Sequence, residues 1–254
     1  MRTALGLMLA TLIFLSDTSA AQMGGTSRSA WFSYFGDQPI STHWAIHAEG
    51  SCRRTFDLSQ FEQVELRPGL TLLENRSHQS LVAYTFFRTH ATDDGSFGPT
   101  PADQRQVEKR LFEQHQIALR LRNREGSVPE LIQRFRIEQR WRATGPNGGE
   151  FEPTAFSQRA RYRLTAKIPF SNSTSTGHYF VAYNEVYTNA SLKRDLLNAD
   201  VTYGALGTRM GRDWALEVGY QFRFAPTSLG VTGPQDHSLQ VYLLSTAPFR
   251  HRRH

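Results

Sequence analysis

Arginine side chains recur at every second position in two neighbouring stretches of the chain. The first stretch, residues 131–142, contains Arg134, Arg136, Glu138, Arg140 and Arg142 at alternate positions. The second, residues 155–167, contains Arg159, Arg161 and Arg163. Guanidinium groups bind carboxylates and phosphates through forked, charge-assisted hydrogen bonds. Such rows are suited either to pairing with acidic side chains of the same protein or to attracting small anions. Pairing is the simpler interpretation, because a row of like charges is weak evidence for a ligand site.

A second set of reactive residue types lies in residues 42–53. His47, Glu49 and Ser51 share one face at two-residue spacing, and these are residue types that an outer-membrane lipid hydrolase would use. Side chains at that spacing in one strand point in parallel and do not converge, so a polar stripe is the better interpretation. The sequence has no metal-ligand spacing, phosphate-binding loop or nucleotide fingerprint, so no catalytic residue, cofactor or metal is predicted.

The elements that carry these residues alternate with a period of two. In residues 131–142, the apolar Leu131, Phe135, Ile137 and Trp141 occupy the positions between the arginines. A two-residue period held over a dozen residues predicts a β-strand. The same alternation recurs along the chain at residues 42–53, 61–73, 155–167 and 213–224.

Two places are less regular. Residues 107–122 also fit a basic amphipathic helix, and they are predicted as a strand because the strands on both sides need a partner. Pro68 lies within an alternating stretch, and because proline has no N–H for the ladder, a bulge or local bend is expected there.

The N-terminus has the pattern of a secretory signal. Arg2 precedes an apolar run, residues 4–15, that is too short to span a bilayer, and small residues end at Ala21. We therefore predict a cleaved signal peptide at residues 1–21 and one domain at residues 22–254. The formal net charge of +6 favours acidic partners, and for an exported chain these are outer-membrane lipid and lipopolysaccharide rather than nucleic acid.

Alternating segments separated by turns decide the predicted fold class. The connections are alternately short and long, as in outer-membrane proteins, and the single Cys52 cannot close an internal disulfide. The pattern predicts an all-β, antiparallel up-and-down transmembrane β-barrel in the outer membrane. About twelve strands are expected, with ten as the fallback, because bacterial single-chain barrels use even numbers. A soluble sandwich stays open, since periodicity alone does not distinguish core from lipid.

Six short motifs of the sequence resemble motifs of the DUF2490 family of bacterial outer-membrane proteins. They are WFSYFGD at 31–37, LRPGL at 66–70, RFRIEQRW at 134–141, RARYRL at 159–164, YNEVYTN at 183–189 and GYQF at 219–222. The resemblance implies an outer-membrane-type barrel of unknown function. Carried over by position, it implies a recurrent polar set of Arg67, Glu113, Arg136, Glu138, Arg140, Arg161, Arg163, Asn184 and Glu185.

Together these observations predict an Arg/Glu ion-paired lumen. Its predicted members are Arg67, Arg134, Arg136, Glu138, Arg140, Arg159, Arg161, Arg163, Glu185 and Glu217. The predicted role is structural or envelope-associated. A narrow pore that prefers small anionic solutes is the first alternative, and a lipid hydrolase is the second.

Overall fold

The computed structural model describes residues 26–75, 77–90, 105–121, 129–145, 155–170, 176–189, 197–225 and 233–247. The predicted signal peptide lies outside these residues and stays a prediction. Within them the chain forms strands and no helix. The strands are β1 (Thr26–Pro39), β2 (Trp44–Thr55), β3 (Phe61–Leu73), β4 (His78–Thr89), β5 (Arg105–Arg120), β6 (Glu130–Gly145), β7 (Ala155–Pro169), β8 (Thr176–Asn189), β9 (Leu197–Met210), β10 (Trp214–Phe224) and β11 (Gln235–Ser245).

The eleven strands form one closed barrel in which each strand pairs with the next along the chain. The predicted all-β barrel is confirmed, with eleven strands where about twelve were expected. Because successive strands reverse direction and eleven is odd, β1 and β11 run the same way. The closing pair is therefore parallel, from Thr26 opposite Gln235 to Gly36 opposite Ser245. All other pairs are antiparallel, and the closed ladder leaves no free sheet edge.

Side chains alternate between the barrel interior and its outer surface. In β2, His47, Glu49, Ser51 and Arg53 are buried, whereas Ile46 on the opposite face is exposed. Every strand except β8 carries at least one large hydrophobic side chain that is more than a third exposed. The apolar faces therefore point outward and are not buried against each other, which excludes the soluble sandwich.

The connections differ between the two ends of the barrel. At one end they are mostly short: four residues join β1 to β2, and three join β9 to β10. At the other end they are mostly longer, with fifteen residues between β4 and β5 and ten between β10 and β11. We call these the short-turn end and the long-loop end. No helix in the described ranges is long and apolar enough to cross a membrane.

The turn between β2 and β3 is the tightest connection at the long-loop end. Leu58 has a φ of 63°, in the left-handed region. The hydroxyl of Thr55 and the backbone N–H of Ser59 donate hydrogen bonds to the Asp57 carboxylate. These donors, the Thr55 hydroxyl first, lower the pKa of Asp57 to about 2, so the turn keeps its negative charge through the neutral range.

The structure gives different outcomes for the two less regular stretches, residues 107–122 and the segment around Pro68. β5 forms a continuous ladder with both neighbours, so residues 107–120 are strand as predicted. The register of β2 against β3 shifts between Arg53 and Arg54, away from Pro68. The β3–β4 ladder omits Arg67 and Pro68 and resumes in the same register, because a missing N–H interrupts pairing without requiring an extra residue.

The parallel closure predicts one specific cross-link. Phe32 lies opposite Val241 on the outer face, so cysteines there should form a disulfide on mild oxidation. Cys52 must first be replaced by Ser, because it lies opposite Phe32 on β2. Mass spectrometry of non-reduced peptides detects the link. The matched control, Phe32→Cys with Leu239→Cys, is offset by two residues, which separates the Cα atoms by roughly 8 Å and prevents bridging. Equal cross-linking in both variants would rule out this register.

Candidate functional site

A cavity of about 390 Å³ lies in the barrel interior and extends from the level of Arg134 and Tyr242 to that of Arg142 and Arg223 near the long-loop end. The two-residue period of the strands aims alternate side chains into it. Eleven arginines and four carboxylates are among the residues that line it. The arginines are Arg53, Arg67, Arg110, Arg134, Arg136, Arg140, Arg142, Arg159, Arg161, Arg163 and Arg223, and the acids are Glu49, Glu65, Glu108 and Asp236.

Glu138 on β6 holds arginines from two strands. It accepts hydrogen bonds from Arg159 at 2.5 Å and from Arg161 at 2.8 Å, both on β7. Arg136 lies 3.7 Å from the same carboxylate and donates to the side-chain oxygen of Gln114 at 2.6 Å. Glu138 is 1% exposed, so the carboxylate is isolated from solvent by the guanidinium groups around it.

Glu185 on β8 is the second buried carboxylate of this wall. Arg134 donates to it at 2.7 Å, Arg161 at 2.9 Å and Arg163 at 2.7 Å. Because Arg161 binds both Glu138 and Glu185, the two carboxylates belong to one connected cluster. Five arginines therefore share two carboxylates across β6, β7 and β8.

A second ion-paired chain runs along β2, β3, β5 and β6. Arg67 pairs with Glu49 and, at 2.6 Å, with Glu65. Arg110 joins Glu65 at 3.1 Å to Glu108 at 2.7 Å. Arg140 on β6 then donates to Glu108 at 2.5 Å. Of this chain, Arg67 and Arg140 belong to the predicted lumen set, and Glu49 belongs to the polar stripe predicted in residues 42–53. Glu108 and Arg110 were missed because their segment also fits a helix, which hides the face they share.

Aromatic rings hold several of these guanidinium groups in place. Arg136 lies 4.1 Å from the Phe112 ring centroid, Arg163 lies 3.8 Å from Tyr183, and Arg161 lies 4.1 Å from Tyr187. A guanidinium over an aromatic face gains cation–π attraction and loses rotational freedom. These three arginines of the cavity wall are thus held by aromatic rings in addition to their polar partners.

Below the cavity, toward the short-turn end, tyrosines fill the interior. Tyr183, Tyr203 and Tyr242 form a stack, with centroid separations of 4.7 and 5.4 Å. Tyr179 and Tyr203 are each 2% exposed. The Tyr179 hydroxyl donates to Glu217 at 2.8 Å, which places Glu217 beside the tyrosines and away from the arginine clusters. Among the described residues, Glu217 is the one member of the predicted lumen set that forms no ion pair.

Two residues implied by the family pattern lie on the outer face. Glu113 is exposed between Val82 on β4 and Ile137 on β6. Asn184 lies between two inward residues of β8 and donates to Asp200 at 2.7 Å. Neither residue therefore belongs to the arginine–carboxylate clusters of the interior. Odd-numbered residues of β5 and even-numbered residues of β8 face outward, because side chains alternate between the two faces of a strand. Glu113 and Asn184 therefore lie on the outer side.

The candidate hydrolase residues do not assemble into a triad. His47 Nδ1 pairs with Asp37 at 2.9 Å, but its buried Nε2 has no hydrogen-bond partner and faces Glu49 at 3.8 Å. A serine nucleophile would have to occupy that position. Ser51 is buried on the same strand, two inward-facing positions beyond His47, and its hydroxyl has no hydrogen-bond partner. The described residues contain no group of three His, Cys, Asp or Glu side chains that could hold a metal ion.

The buried carboxylates predict a large difference between two otherwise equal substitutions. Glu185→Gln leaves three arginines without their shared counter-charge and should lower the free energy of unfolding by about 3–5 kcal/mol. Glu130→Gln removes the partner of the half-exposed Arg120 at the short-turn end and should cost under about 1 kcal/mol. Urea unfolding of the purified variants measures both. Similar losses would mean that the buried cluster does not stabilise the barrel.

The comparison with known protein families covers the part of the chain that forms most of the barrel. The model of the family described as "Protein of unknown function (DUF2490)" matches residues 28–232, and the chain belongs to that family. No curated protein and no solved structure matches the chain.

Proposed function

We propose that this DUF2490 protein is an outer-membrane β-barrel with a structural, envelope-associated role, whose ion-paired interior stiffens the wall. The observation that carries the proposal is the sidedness of the strands, with hydrophobic side chains around the outside and charged ones inside. A soluble protein rarely exposes large hydrophobic side chains on nearly every strand of its outer surface. A lipid-facing barrel requires one.

Strand length and the position of aromatic residues support the same proposal. Each strand has at least eleven residues, and about nine to eleven tilted residues span a bilayer. Trp44 and Trp214 are exposed at the short-turn end, and Phe56 and Phe156 are exposed at the long-loop end. Aromatic residues near both ends of the apolar band are typical of barrels at the two membrane interfaces.

The contents of the interior favour a sealed barrel over an open channel. Carboxylates that bridge several strands hold the arginines against the wall, and buried tyrosines occupy the space below them. Small barrels enclose side chains, or side chains and room for one small ligand, rather than an aqueous channel. Such an interior resists deformation without requiring a ligand or a reaction.

A substitution on the outer face distinguishes a membrane location from a soluble one. Leu206 is 63% exposed and lies between Val218 and Phe180. Leu206→Arg should destabilise a lipid-facing barrel by about 2–4 kcal/mol near the bilayer midplane, whereas it would be nearly neutral on a soluble surface. Ile40→Arg, at an exposed turn position outside the strands, is the control and should have little effect. Urea unfolding of protein inserted in lipid vesicles measures both.

Extraction tests the location directly. After expression in a Gram-negative host, the protein should stay in the membrane pellet after a carbonate wash, require detergent, and migrate faster on a gel when unboiled. A mature protein that dissolves in plain buffer as a monomer would contradict the proposal.

A narrow anion-preferring pore is the second candidate, favoured by the number of arginines lining the cavity. If ions pass, Arg136→Glu combined with Arg161→Glu should reverse the preference from anions to cations in planar bilayers, because both side chains line the cavity. Unchanged selectivity in the double variant would remove these arginines from conduction. Bilayers that stay silent with the unmodified protein would support the sealed interior instead.

A further inference from the structure

We propose that the interior cavity is a blind binding site for a small polyanion that carries phosphoryl or carboxylate groups and enters from the long-loop end. The inference goes beyond a structural role for the barrel. It rests on the charges of the cavity wall and does not depend on where in the cell the barrel is located.

Within the described residues, the arginines of the cavity wall outnumber the carboxylates that pair with them. The arginines form ion pairs with seven described carboxylates, namely Glu49, Glu62, Glu65, Glu108, Glu138, Glu185 and Asp236. With Arg142 left out of the count, ten lining arginines still face these seven acids. A structural network of ion pairs would need no surplus, and an unmatched charge removed from water is costly.

The surplus belongs to identifiable side chains. Among the described residues Arg223 has no carboxylate within ion-pair distance, and its buried Nε has no hydrogen-bond partner. Its cross-strand neighbour Asp236 is already bound by Arg53 at 2.8 Å and by Ser27 at 2.7 Å. The Nε of Arg134 is also buried without a partner, although its Nη2 binds Glu185. All of these arginines line the cavity.

Arg136 is similarly underpaired. Its carboxylate neighbour Glu138 is 3.7 Å away and is already hydrogen-bonded to Arg159 and Arg161. The ring of Phe112 and the side chain of Gln114 hold the guanidinium of Arg136 in position. A donor group fixed before the ligand arrives loses little entropy on binding, which favours affinity.

The spread of these donors determines the class of ligand. Arg134 and Arg136 are successive inward residues of β6, about 6.7 Å apart along the strand. Arg223 lies on β10, close to the long-loop end. One monovalent ion does not neutralise guanidinium groups at separate positions, whereas a molecule with two or more anionic groups does. The cavity volume of about 390 Å³ lies within the range of small-molecule sites.

The proposed direction of access follows from the residues that border the cavity at its two ends. Arg142, Asn198 and Arg223 border it near the ends of strands that lead into long connections. In the other direction lie the buried side chains of Tyr179 and Tyr203. A ligand therefore enters and leaves by the same end, which separates this site from a pore.

Isothermal titration calorimetry of the detergent-purified full-length protein tests the inference, with sodium pyrophosphate and sodium citrate as probes. At least one probe should bind with one-to-one stoichiometry, and the affinity should fall as salt is added. Pyrophosphate alone would identify phosphoryl ligands, citrate alone would identify carboxylate ligands, and both would support the general class. No binding of either probe to the unmodified protein would overturn the proposal.

Three single variants of matched chemistry locate the site. Arg223→Gln and Arg134→Gln should each weaken binding at least about tenfold, because each removes charge-assisted hydrogen bonds. Arg120→Gln, at the exposed pair near the short-turn end, should bind as the unmodified protein does. Equal affinity in all three variants would overturn the assignment. If Arg134→Gln fails to fold through loss of its bond to Glu185, Arg223→Gln carries the test alone.

Stability without ligand separates binding from a structural role. If Arg223 serves the ligand, Arg223→Gln should raise the urea midpoint of the ligand-free protein while it weakens binding, because it removes an unmatched charge. If Arg223 only supports the wall, the same variant should lower the midpoint. The extraction experiment and this one can fail independently, so a soluble protein that binds pyrophosphate would refute the location and retain the site.

Discussion

Two carboxylates enclosed by arginines are the constraint on which the interior depends. Glu138 and Glu185 each accept from several guanidinium groups, and Arg161 joins them, so three adjacent strands share one set of charges. Removing ions from water is expensive, and only close, well-oriented contacts offset that cost. The backbone ladder closes the barrel, whereas this cluster decides how side chains are arranged inside it. An arginine without its acid would have to move toward water or toward another anion.

Side-chain alternation made most of this arrangement predictable. The period of two in residues 131–142 and 155–167 assigned the arginines to one face, and nine of the ten residues predicted for the lumen lie in ion-paired clusters of the barrel interior. The partners were harder to predict, because pairing across the barrel depends on tilt and closure. Glu108 is the adjacent inward residue to Arg110 on β5, whereas Glu65 reaches Arg110 from β3, two strands away. Glu217 also faces the barrel interior, but it contacts tyrosines. The alternation of its own strand gives the face of a residue and not its height in the barrel.

The number of strands and the closing pair could not be derived from local patterns. A strand has the same alternation whether its neighbour is parallel or antiparallel, so nothing in β1 or β11 indicates that they run the same way. Even parity was an expectation from other barrels, and eleven strands replace it with a parallel seam. Glu113 shows a related limit. A family pattern identifies a polar position, but strand parity decides its face, and here a carboxylate lies outside between Val82 and Ile137.

The two halves of the interior follow different physical rules, and this contrast bears on function. Toward the short-turn end, stacked tyrosines and buried aliphatic side chains fill space as a protein core does. Toward the long-loop end, charged groups surround a volume that side chains do not fill. If stiffness were the only requirement, packing like that of the first half would suffice throughout, because well-packed apolar residues stabilise at least as well as buried ion pairs. Of the underpaired arginines, Arg223 lies at the end of this volume that adjoins the long connections, and Arg134 and Arg136 line its deeper part.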